Sequence, residues 1–197
     1  MTKLIIGIGN PDPQYQQTRH NVGFMFLDYL AKKVKANPDA SVGAGDFTED
    51  KKLNALVSKS KIEKTPVILA KPLCYVNKSG EVVGKLARFY KVKPKDVIVV
   101  QDDLDIEFGS FKNSFEKNSG GHKGIESVIK ALKTNKFHRL RIGTSVRALE
   151  KARPQSDKKR DAFVVDFVLA KFSPKEQDVI KKMFPKIYDR LLMLLKQ

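Results

Sequence analysis

Strands alternating with helices predict an α/β fold for this sequence: a single domain over residues 1–197, in which helices flank a twisted, mixed and largely parallel β-sheet. Three observations carry that expectation. Short apolar runs of strand length recur, as at Leu4–Ile8 and in "DVIVV" over Asp96–Val100. Between them lie stretches whose apolar residues follow helical spacing. Glycine and proline are dispersed, with no repeat or low-complexity tract, as one compact unit requires.

Taken in order, Leu4–Ile8 reads as a buried strand that ends at glycine. Phe26, Leu27, Leu30, Ala31 and Val34 share one face of a helix over Val22–Val34. "LNALVSKSKI" and "PVILAK" read as two strands across a polar turn, and Asn77–Tyr90 as a helix with Val82, Val83, Leu86 and Tyr90 inward. "DVIVV" is the clearest buried strand and runs into an acidic turn, "QDDLD". Gly109–Phe115 can add an edge strand, "NSGGHKGIESVIKALK" a glycine-rich loop opening a helix, and "HRLRIGTSV" another strand. Ala148–Asp161 reads as a polar, basic loop. Ser173-Pro174-Lys175-Glu176 has the form of a capping box, and the helix it starts is expected to kink at Pro185. Catalytic groups of such folds gather at the carboxyl ends of strands, which is where Gly7–Asn10 and Gln101–Asp105 fall.

The 197 residues can bury a full core, about 70% of the surface of the unfolded chain. The formal net charge of +16 points to a polyanionic partner, nucleic acid first, because neutralising phosphates releases counterions. One cysteine, Cys74, excludes a disulfide framework. No stretch approaches the roughly 20 apolar residues of a membrane span, and no secretory signal is visible. The expectation is a soluble, intracellular protein with no membrane association.

"GIGN" after the first strand has the start of a dinucleotide fingerprint, but Asp12 stands where the third glycine belongs, between Pro11 and Pro13. No P-loop pattern occurs, and the three histidines and one cysteine have no zinc spacing. What remains is Asn10, His20, Asn77, the group Asp102, Asp103 and Asp105, and the loop around His122. A histidine with a carboxylate behind it is the minimal device for activating water, and asparagine amides can polarise a carbonyl. Each has an ordinary alternative: Asn10 as a turn residue, Asn77 as a helix cap, the aspartates as a solvated turn or a Mg²⁺ site.

Together "GIGNPDPQYQQTRHNVGF", "KPLCYVNKSGEVV", "QDDLDIEFG", "GGHKG" and "FHRLRIG" resemble the bacterial-type peptidyl-tRNA hydrolase family, in its order and spacing across residues 3–145. The resemblance implies a monomeric α/β enzyme without cofactor or metal. It would cleave the ester that joins a peptide to the terminal ribose of tRNA, holding the acceptor stem and 3′ end. His20 would be the general base, Asp102 would orient and stabilise it, and Asn10 would act near the scissile ester. Asn77 would hold the substrate backbone, Tyr15 and Tyr75 would line the cleft, and Arg141 would clamp phosphate. The implied location is cytoplasmic, with mitochondrial as the alternative. One departure stands out: the family usually has asparagine where this chain has Lys123, which can pair with phosphate or ribose oxygens but accepts no hydrogen bond. Two rivals are a non-catalytic RNA-binding protein on the same fold and a metal-dependent nuclease built on the aspartates.

Overall fold

The computed structural model describes residues 1–36, 45–146 and 157–197. In chain order the elements are β1 (Lys3–Gly7), α1 (Val22–Lys35), β2 (Thr48–Asp50), β3 (Ala55–Ile62), β4 (Thr65–Pro72), α2 (Ser79–Phe89) and β5 (Val97–Glu107). Then follow β6 (Phe111–Phe115), α3 (Lys123–Leu132), β7 (His138–Ser145), α4 (Asp157–Leu169) and α5 (Pro174–Leu195). Among the described residues the strands form one sheet in the order β2-β3-β4-β1-β5-β7-β6. β4, β1, β5 and β7 are parallel, whereas β2, β3 and β6 pair antiparallel at the two margins.

Strand alternation distributes the core over both faces. Ile5, Ile98, Val100, Leu140 and Ile142 meet Phe26, Leu27 and Leu30 of α1 and Ile180, Phe184 and Ile187 of α5. Leu4, Ile6, Val97 and Val99 meet Val82, Val83 and Leu86 of α2 and Ile125 and Val128 of α3. Each such side chain contributes about 1.5–3 kcal/mol by leaving water.

The glycines of "GIGN" serve close packing rather than a turn. Neither Gly7 nor Gly9 has a positive φ. A Cβ on Gly7 would stand 2.5 Å from the carbonyl oxygen of Gly23, and one on Gly23 would stand 2.4 Å from that of Val100. Helix α1 therefore begins flush against β1 and β5. The 3-10 turn Arg19–Asn21 that precedes it is brought to the carboxyl edge of the sheet.

Three expectations change. The acidic turn at Gln101–Asp105 is strand: β5 continues to Glu107 because Asp102 and Asp103 stay in register with Ile142 and Gly143 of β7. Asn77 does not cap its helix. It lies in a 3-10 turn, Val76–Lys78, and α2 starts behind it at Ser79. Of the loop expected over Ala148–Asp161, residues 148–156 lie outside the described residues, and from Asp157 the chain is helix α4. The capping box forms, Glu176 N–H donating to Ser173 Oγ and Ser173 N–H to Glu176 Oε2, and α5 continues through Pro185. Its buried row Ile180, Met183, Phe184, Ile187 and Leu191 holds it against the sheet.

Candidate active site

His20 lies in the turn before α1, and its Nδ1 is 2.9 Å from Asp102 Oδ1 on β5. The same oxygen is 3.1 Å from Nε2 of His122, the residue that caps α3. Asp102 is 1% exposed. Burial alone would raise its pKa, but the His20 charge, with hydrogen bonds from both rings, outweighs burial and holds the carboxyl well below the usual range. For His20, burial lowers the pKa, yet the charge and hydrogen bond of Asp102 prevail and raise it above the ordinary imidazole value. An ionised carboxylate only accepts, so His20 Nδ1 carries the proton toward Asp102 and Nε2 is left as the base.

His20, Asp102 and His122 each place one potential ligand atom within 4.8 Å of the others. Both rings nevertheless turn a nitrogen to one carboxylate oxygen, and a nitrogen that donates a proton cannot ligate a cation. The group is held together by hydrogen bonds to a single oxygen of Asp102. Asp103, for its part, is occupied by Arg141, whose Nε donates to its Oδ2 at 2.7 Å, and its Oδ1 accepts from the Asp105 amide. Asp102 and Asp103 are therefore held by separate partners.

A cavity of about 450 Å³ opens beside His20 and Asp102. Gly120, Gly121, His122 and Lys123 close it at the start of α3, and Val164, Val165 and Val168 of α4 supply an apolar wall. Gly120 and Gly121 have φ of +65° and +81°, the left-handed turn that swings His122 toward Asp102. The anchor of α4 is Arg19, the residue before His20. Its guanidinium lies over Phe167 and Phe172, donates to the carbonyls of Ala170 and Lys171, and pairs with Glu176.

Asn10, 6% exposed, is locked on two sides. Its backbone N–H donates to Asn21 Oδ1 (2.8 Å), and Asn21 Nδ2 donates to its carbonyl (2.9 Å). The Val76 amide donates to Asn10 Oδ1 at 3.0 Å, so the end of Asn10 left for a substrate is its Nδ2–H₂ donor. Asn21 holds the cap position of α1, yet its side chain makes no cap bond there and reaches back to Asn10. Sequence reasoning missed it; the one signal was a cap-type residue beside His20.

The expected site residues are not all in one place. His20, Asp102 and Lys123 border the smaller cavity. Asn10 and Asn21 border a second one of about 670 Å³ on the side of α1. Tyr15 and Tyr75 pack edge to face at 6.4 Å, with the Tyr75 hydroxyl donating to Asp12, and Asn77 is exposed beside Val76. Lys123 reaches into solvent, 3.6 Å from Glu126. Arg141, expected to clamp phosphate, is 7% exposed and its Nε donates to Asp103. The apolar wall of α4 was not foreseen, since valines in a polar region carry no chemical signature.

A mixed α/β sheet, parallel at its centre, that sets a carboxylate-backed histidine at its carboxyl edge has the equipment of a hydrolytic enzyme. Residues 4–197 match the family model for peptidyl-tRNA hydrolase, and the chain belongs to that family. The peptidyl-tRNA hydrolase of Aquifex aeolicus is 44% identical over 184 residues, covering 93% of this chain and 85% of that protein. That of Mycolicibacterium smegmatis is 42% identical over 163 residues, 83% of this chain and 77% of the relative. Among solved structures, the peptidyl-tRNA hydrolase of Acinetobacter baumannii superposes with a TM-score of 0.81 at 29% identity, covering 98% of this chain and 88% of that one.

Proposed function

We propose that the chain hydrolyses the ester between a peptide and the terminal ribose of tRNA, with His20 as general base. The observation that carries this reading is the Asp102-backed imidazole at the mouth of a cavity, in a chain of this family. His20 Nε2 takes a proton from water as the oxygen attacks the ester carbonyl. Asp102 stabilises the imidazolium, and the Nδ2–H₂ of Asn10 is a donor suited to the developing oxyanion. Collapse of the tetrahedral species breaks the carbon–oxygen bond to the ribose, whose oxygen takes the proton back from His20. The products are a peptide acid and tRNA with a free hydroxyl, and no step needs a metal or cofactor.

Tyr15, Tyr75 and Asn77, gathered near Asn10 and Val76, suit the terminal nucleotide and peptide backbone; Lys123 suits phosphate or ribose oxygens. The net charge of +16 fits an RNA substrate, and a cytoplasmic location belongs to the same reading. The non-catalytic RNA-binding alternative is not favoured, because base and carboxylate are both present and paired.

The test is cleavage of an N-blocked aminoacyl-tRNA, with the unblocked form as control and with and without chelator. The blocked substrate should be cleaved and the unblocked one spared, and chelator should change nothing. His20→Ala should lose about 10²–10⁴-fold in kcat while still binding tRNA. Cleavage at the parent rate by that variant would rule the mechanism out.

A further inference from the structure

We propose that His122 is a positioning residue of this hydrolytic site, an imidazole fixed by the start of α3 with its proton on Nε2, which holds the Asp102 carboxylate in place for His20. The inference rests on the function proposed above and adds a third member to the pair.

The tautomer follows from the partners of the ring. Nδ1 of His122 lies 3.1 Å from the Gly124 amide and 3.4 Å from the Ile125 amide. Backbone N–H groups only donate, so Nδ1 accepts, and the proton of the neutral ring sits on Nε2. Nε2 in turn is 3.1 Å from Asp102 Oδ1. The ring thus caps a helix with one nitrogen and donates to the carboxylate with the other. Its side chain is only 9% exposed, and the Gly120–Gly121 turn fixes where it enters. One oxygen then receives two N–H donors from rings 5.2 Å apart and tilted by 32°. Asp102 is free neither to rotate away from His20 nor to be pulled toward a cation.

The two jobs of His122 can be separated. Asn at 122 still offers a cap acceptor to the α3 amides but has no donor that reaches Asp102. His122→Asn should therefore stay folded, with kcat lower by about tenfold to a hundredfold, the range for a hydrogen bond to a charged group, and KM little changed. It should also shift the acid limb of the rate profile upward, because the Asp102 charge then acts on His20 alone. Among the described residues the other charged groups at this cavity are Asp103 and Asp105 on β5 and Lys123 on α3, all unaltered by the change; from α4 these residues contribute valines, and Arg19 turns toward the end of α4. Parent kinetics and pH profile in a folded His122→Asn would reduce His122 to a helix cap and overturn the proposal. Imidazole ¹H–¹⁵N correlation spectra of the parent protein give an independent reading: a proton on His122 Nε2 is expected, and one on Nδ1 would refute the proposal even if the variant failed to fold. Loss of activity in His20→Ala with parent kinetics in His122→Asn would sink this inference and leave the function standing.

Discussion

Asp102 and Asp103 are neighbours on β5 and both are nearly removed from water, at 1% and 8% exposure. Alternation along the strand gives them different partners. Asp103 meets Arg141, a guanidinium that stays charged at any working pH, and the pair is a fixed part of the sheet. Asp102 meets two imidazoles, groups that can hold a proton or release it, and one of them opens onto a cavity. A buried carboxylate becomes catalytic equipment when its partner can change protonation; with a permanent cation beside it, it is structure.

Substitution on the Asp102 side should show its effect in rate. Asp102→Asn should lower kcat by about 10²–10⁴-fold, as expected when a general base loses the group that orients it, with the unfolding midpoint changed far less. Substitution on the Asp103 side should show its effect in stability. Arg141→Met leaves Asp103 buried without its cation and should cost about 3–5 kcal/mol in denaturant unfolding. An Arg141→Met chain as stable as the parent, but with a raised KM for tRNA substrate, would break the contrast and return Arg141 to a phosphate-clamping role. The smallest effect is expected at the rim. Lys123 is exposed and, among the described residues, pairs with Glu126, so Lys123→Asn should change kcat/KM by no more than about tenfold, the worth of one hydrogen bond. Kinetics identical to the parent would mean that this position does not contact substrate.

This contrast was only half legible in the sequence. The apolar runs announced β1, β5 and the inward faces of α1, α2 and α5, because burial against a sheet demands those periods. The resemblance singled out Asp102 among three aspartates, but nothing local distinguished Asp102 from Asp103, since their roles depend on which residues of other elements stand opposite. The pairing of Arg141 with Asp103 was illegible for the same reason. β5 was cut short at its aspartates because charges usually end strands, and here long-range partners neutralise them. Asn21 was hidden as an ordinary helix-start residue, and His122 was legible only as part of a candidate loop; each spends its side chain, wholly or in part, on a partner far along the chain.

The central claim, that Asp102 tunes His20 as the base, is tested most directly by the pH dependence of kcat/KM on an N-blocked aminoacyl-tRNA. His20 must be neutral to act, and Asp102 raises its pKa, so the parent rate should fall toward acid with a midpoint above the ordinary imidazole value of about 6.5. In Asp102→Asn the raising charge is gone and burial alone remains, so the midpoint should move to lower pH. An acid limb in the same place for both proteins would contradict the account.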